Sequence, residues 1–194
     1  MSTLTRFAGP LAMLGGGVFV LAILAVAVDP SALAWIGLIV AMFLIGGAAL
    51  GLQRQVGARI GSLGRWAALA TAAAALALIA LVLIALATTA GDMATPPPPV
   101  VIASSGVAFL VWLLGSIVFA LSLIRAKAVP ALAGWLVVLG AGIGSVVLFA
   151  FTSGPNPSPL FYLPLGLYGV GWMLIGFAAR TTTAAERSAA GQPT

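Results

Sequence analysis

Catalysis by side chains needs a nucleophile with a base beside it, a pair of carboxylates, or a cluster of metal ligands. This chain is poor in all three. It has no histidine, no cysteine and three acidic residues in 194. Disulfides, thiolate chemistry, haem held through His or Cys and His-based metal sites are therefore excluded. The best-placed hydroxyls are Ser116 and Ser145, each inside a long apolar run. A serine attacks only when a neighbouring base takes its proton, and neither run contains a base. Asp29 and Asp92 fall between apolar runs, so they do not supply paired aspartates at membrane depth. We expect no catalytic, cofactor-binding or metal-binding residue, no cofactor and no enzyme activity. Ser116 and Ser145 should bond the carbonyl four residues back or tie two helices together.

The remaining candidates are aromatic or very small. Trp112 and Trp172 fall within apolar runs rather than at their ends. Their indole N–H groups need partners, and the rings either line a cavity or pack as bulk. Gly47 and Gly51, and Gly140 and Gly144, have the spacing that lets two helix backbones approach. Gly15-Gly16-Gly17, and Pro164 with Gly166, Gly169 and Gly171, could mark helix breaks of the kind found at transporter sites. With no charge nearby, packing or kinking is the preferred reading.

The elements that must position these residues follow from composition. Hydrophobic residues make up 62% of the chain and charged residues 6%, against about 25% charged in soluble domains. Mean hydropathy is +1.24. A soluble fold could not cover its surface with so few charges, so the class is an all-α integral membrane bundle. The net charge of +5 would suggest nucleic acid in a soluble protein. Here the basic residues sit just beyond apolar runs, as topology requires, and no nucleic-acid partner is expected.

Six spans are expected, at about 7–28, 33–52, 66–88, 100–124, 130–151 and 159–179, forming one domain over 1–180. The first could be a signal peptide, with Arg6 ahead of it and Ala25-Val26-Ala27 as a cleavage site. Its length favours a retained helix. Asp29-Pro30-Ser31 and Ser153 to Pro159 read as turns, and Pro96 to Pro99 as an extended polyproline strut. Pro130 should stand at or near the first turn of the fifth helix. Pro164 leaves the start of the sixth open. The alanine-rich third run, with Ala72 to Ala75, is expected at the centre of the bundle. The tail 181–194 is expected to be disordered and polar. All eight basic residues then share one side: Arg6, Arg54, Arg59, Arg65, Arg125, Lys127, Arg180 and Arg187. Positive-inside topology makes that side cytoplasmic, with both termini inside and the chain in the cell membrane.

Leu44-Ile45-Gly46, Leu113-Leu114-Gly115 and Leu174-Ile175-Gly176 could mark three tandem hairpins. Leu, Ile and Gly are so common here that the pattern has little weight. The stretch Leu123-Ile124-Arg125-Ala126, Pro130, Ala133-Gly134-Trp135 and Gly140 resembles a motif of small bacterial multi-pass proteins grouped as uncharacterised membrane domains. The resemblance implies six spans in about 200 residues and implies no activity. Two functions are then expected in order. The first is a non-enzymatic accessory or interaction role, with the lipid bilayer and a membrane protein partner or second copy contacted through glycine-rich helix faces. The second is a permease for a neutral or apolar small molecule, which requires a cavity near the midplane lined by Trp112, Trp172 or the serines.

Overall fold

The computed structural model describes residues 3–28, 32–88, 97–151 and 162–190. Among these residues six α-helices form: α1 Thr3–Val28, α2 Ala32–Val56, α3 Gly61–Thr88, α4 Pro99–Arg125, α5 Ala131–Phe151 and α6 Leu163–Ala190. Among the described residues there is no strand. By length and composition, four stretches suffice to cross a membrane: Thr5–Val28, Ala34–Ala85, Pro99–Arg125 and Leu163–Thr181. Ala34–Ala85 contains both α2 and α3, and the apolar stretch Ala131–Val146 of α5 is shorter. The expected turns at 29–31 and 153–159, and residues 89–96 with Asp92, lie outside the described residues.

Helix ends follow local chemistry. α2 and α3 meet at a short 3-10 turn, Gly57–Ile60, with Gly57 and Gly61 at φ 63° and 68°. Two glycines make that left-handed backbone inexpensive, so the turn is shorter than the expected loop. Arg54 and Arg65 lie within the helices. Pro99 is the first residue of α4 and Pro98 its cap, at φ −52° and ψ 141°. The proline run thus keeps a polyproline conformation at Pro98 and starts a helix at Pro99, where the missing N–H is harmless. α4 ends at Arg125, and Lys127, just past the cap Ala126, has φ 51°. Lys127 N–H donates to the Ile124 carbonyl and Ala128 N–H to that of Leu123, both at 3.0 Å, which is a Schellman cap. Pro130 precedes α5, and its carbonyl accepts from Gly134 N–H at 3.3 Å. Pro164 is the second residue of α6, so the sixth helix begins later than 159 and has no kink there. α6 also continues to Ala190, where a disordered tail was expected from Thr181. Ala184, Ala185, Ala189 and Ala190 are strong helix formers that extend a helix already nucleated by packing.

Each helix packs on the two that flank it in sequence, and α6 packs on α1. The six therefore form a closed ring, with α3 on the circumference rather than at the centre. Alanine gives α3 two close neighbours, not a central place. Ala72 and Ala75 meet Gly46 of α2, and Thr71 and Ala67 meet Gly115 of α4, while Leu69, Leu76 and Leu83 face outward. Gly46 and Gly115 thus both face α3, whereas Gly176 faces α1. The three hairpin glycines are not equivalent.

Glycine sets the spacing around α6. Gly9 and Gly16 of α1 oppose Gly176 and Gly169 of α6, two antiparallel pairs seven residues apart on each helix. A methyl group at Gly176 would lie 2.5 Å from the Gly9 carbonyl oxygen. Gly140 of α5 meets the backbone of Tyr168 and Pro164, and Gly144 meets Leu165. The Gly140–Gly144 pair is therefore a backbone contact within the chain. Gly47 has only the tip of Leu11 nearby, at 3.6 Å from an added Cβ. On α2 the close approach falls one residue earlier, at Gly46. The triplet in α1 is continuous helix: Gly15 faces α2 and Gly16 faces α6, because successive residues point about 100° apart.

Candidate functional site

α6 is held between α1 and α5 by these glycines, and that fixes where Tyr168 points. Gly140 admits the Tyr168 backbone from one side, and Gly169, the next residue, lies against Gly16 on the other. The Tyr168 side chain therefore projects into the ring. There it meets Trp112 of α4 at a centroid distance of 4.9 Å and Phe19 of α1 at 5.1 Å. Phe19 and Trp112 lie 5.8 Å apart, and Trp172 stacks near Phe119 at 6.3 Å. These rings come from α1, α4 and α6, and all five are buried. They fill the space that six peripheral helices would leave at the centre. Each such pair contributes about 0.5–1.5 kcal/mol beyond its buried area.

The polar atoms in this layer are few. Ser116 Oγ donates to the Trp112 carbonyl, four residues back, at 2.8 Å, and lies 3.0 Å from Tyr168 Oη. A hydroxyl has one proton. With that proton on the Trp112 carbonyl, the Tyr168 O–H donates to Ser116 Oγ. The indole nitrogens of Trp112 and Trp172 are buried and find no acceptor. Leaving such a donor unpaired costs roughly 1–3 kcal/mol, which the ring contacts offset. Among the described residues Ser145 bonds only the Ala141 carbonyl of its own helix. The structure thus brings Ser116, Trp112 and Trp172 together and leaves Ser145 apart. Among the described residues no carboxylate, amine or guanidinium stands in this layer, and the hydroxyl pair ties α4 to α6. Among the described residues there is no group of three or more His, Cys, Asp or Glu.

Tyr168 was not apparent as a member of this site from the sequence. The available signal was spacing: Trp112 with Ser116, and Tyr168 with Trp172, each four residues apart and hence on one helix face.

A pocket of about 340 Å³ lies beside this layer, within the size range of ligand sites. Its walls are Phe19, Ile23 and Val26 of α1, Trp35, Leu38, Ile39 and Met42 of α2, Leu78 and Val82 of α3, Ser105, Gly106 and Phe109 of α4, and Tyr162 with Leu165 at α6. On α1 to α4 this is the half farther from the basic residues, which cap the N-termini of α1 and α3 and the C-termini of α2 and α4. Phe19 belongs both to the pocket and to the aromatic layer, so this one ring of the layer forms the pocket floor. Among the described residues no charged side chain lines it. Trp112, Trp172, Ser116 and Ser145 do not line it either; the internal tryptophans are packed core.

The opposite end of the bundle is polar. Arg6, Arg54, Arg59, Arg65, Arg125, Lys127 and Arg180 are all exposed there. Arg59 donates to the Ala126 carbonyl at 2.8 Å. The first basic turn thereby caps the C-terminus of α4, where a cation also suits the helix dipole. Trp66 and Trp135 are exposed near this end and Trp35 near the other, the positions of aromatic belts.

Comparison with known protein families, with characterised proteins and with solved structures finds no match.

Proposed function

We propose that the chain is a six-span protein of the cell membrane that acts by binding and not by catalysis. Both termini and the basic end are cytoplasmic in this reading. The 21 residues of α5 are about 31 Å long at 1.5 Å per residue, enough for a hydrocarbon core of about 30 Å. The observation that carries the functional reading is the chemistry of the buried interior. Among the described residues its polar side-chain atoms are hydroxyls, indoles and the Gln55 amide oxygen, with no base beside them, and the pocket is lined by uncharged side chains. An accessory or interaction role follows, with the bilayer and a second membrane protein or copy as partners. Gly140 and Gly144 are taken up against α6. Gly142 and Gly166, where an added Cβ meets nothing within 4 Å, are small residues still open to such a contact. The kinship with small six-helix bacterial membrane proteins belongs to the same proposal. A permease is the second reading, and the pocket favours it. That route would have to pass the packed Phe19, Trp112 and Tyr168 rings.

The test is complementation of a deletion strain by Ser116→Ala and Tyr168→Phe. Tyr168→Phe removes one hydrogen bond and Ser116→Ala two, each worth about 0.6 kcal/mol, the mean for such bonds in membranes. Both variants should accumulate normally and restore the phenotype. Loss of complementation at unchanged protein level would place chemistry at that hydroxyl pair and overturn the non-enzymatic reading.

A further inference from the structure

The pocket has a mouth, a floor and a wall position that is empty for no packing reason. Trp35 lines the pocket yet is 46% exposed, so the cavity reaches the bundle surface beside it. That is the end of α2 where an aromatic ring sits at the membrane interface. Phe19, 1% exposed, closes the other end. From Val26 to Phe19 along α1 is about 10 Å at 1.5 Å per residue. At roughly 30 Å³ per small group, the share of a water molecule in the liquid, the volume holds about ten or eleven groups of methylene size.

Gly106 sharpens the inference. A glycine inside a helix costs about 0.8–1 kcal/mol relative to alanine. At Gly16, Gly140 and Gly169 that cost is offset by close packing, whereas Gly142 and Gly166, away from the pocket, have no such neighbour. At Gly106 an added Cβ would meet nothing within 4 Å, and the residue borders the pocket. Its missing side chain keeps the pocket open instead of bringing a neighbour closer.

We propose that this pocket takes one acyl chain of a membrane lipid from the leaflet opposite the basic loops, with the chain end resting on Phe19. The inference rests on the membrane-spanning reading above. An uncharged lining matches an uncharged occupant. A dry apolar cavity does not hold water stably, and acyl chains are the abundant apolar groups at that depth. The mouth at Trp35 leaves the headgroup at the interface while the chain enters.

The test uses full-length protein in phosphatidylcholine vesicles containing a phosphatidylcholine with a diazirine partway along one acyl chain. After irradiation, adducts are mapped to residues. Adducts are expected on the buried pocket residues Phe19 and Leu38, and on the outward residues Leu83, Leu114 and Phe177. Gly106→Leu should reduce the pocket adducts about tenfold or more, the loss expected when two methylenes are displaced, and leave the outward ones. Val82→Phe should do the same from the α3 wall. Gly142→Leu, which also adds bulk in open space but away from the pocket, should change neither set. Outward adducts without pocket adducts would overturn the lipid-chain site and leave the membrane reading standing. Absence of outward adducts would overturn the membrane reading itself. Pocket labelling by a free diazirine alkane, with none by the phospholipid, would assign the pocket to a mobile apolar molecule and also overturn the proposal.

Discussion

The contact between the first and last helices should be the most sensitive to a single added methyl group. Gly169→Ala places a Cβ 2.8 Å from the Gly16 carbonyl oxygen and 2.7 Å from Val20 Cγ2. A carbon resting on a carbonyl oxygen keeps about 3.3 Å or more, so α6 must move by roughly half an ångström. The obstacle is backbone, which cannot rotate away as a long side chain would. The second pair, Gly9 with Gly176, is equally tight: a Cβ at Gly176 also lies 2.6 Å from Met13 N. α6 therefore cannot pivot about that point to make room. Overpacking of this kind costs about 1–3 kcal/mol, and alanine returns up to about 1 kcal/mol in helix propensity. Gly142→Ala is the matched control, since it gains the same propensity and meets no atom within 4 Å. Comparing the two variants cancels propensity and isolates the clash, about 2 kcal/mol, or roughly 4–8 °C in Tm for a chain of this size. The assay is thermal unfolding in detergent, followed by the fluorescence of the buried tryptophans. Equal melting temperatures for Gly169→Ala and Gly142→Ala would show that the glycine pairs do not set the α1–α6 distance. Gly16→Ala should resemble Gly169→Ala, and the double variant should lose less than the sum, because both act on one contact.

Two other perturbations test separate parts of the argument. Lys127→Gly should raise Tm by the equivalent of about 1 kcal/mol, because a non-glycine residue at φ 51° bears a left-handed backbone penalty of about 1–2 kcal/mol; an unchanged or lower Tm would mean that the lysine side chain compensates for it. For topology, a cysteine replacing Asp92 or Ser158 should react with an impermeant thiol reagent on intact cells, and one replacing Arg59 should not; labelling at Arg59 but not at Asp92 would reverse the orientation.

What could be read from sequence was whatever depends on the solvent and on local backbone chemistry. An apolar composition nearly free of charge selects long helices because unpaired backbone groups cannot be left in hydrocarbon. Proline then marks helix starts, as at Pro99, Pro130 and Pro164. The close contact at Gly140 was likewise anticipated from spacing alone. The end of α6 was not, because polarity was taken for disorder where alanine extends the helix. Tertiary structure decided which of many similar residues meet. Twenty-four glycines offer far more small-residue spacings than the bundle uses, and which one lies at a crossing depends on helix rotation. That rotation put the close approach at Gly46 rather than Gly47, and it split the Gly15–Gly16 pair between two neighbours. It also decided the fate of the internal tryptophans. Nothing local distinguishes a ring facing a cavity from one filling the centre of a six-helix ring, yet Trp112 and Trp172 fill it while the cavity formed beside Gly106. Sequence determines which environment each segment must enter; a pocket is a difference between neighbouring surfaces and exists only once the helices are placed.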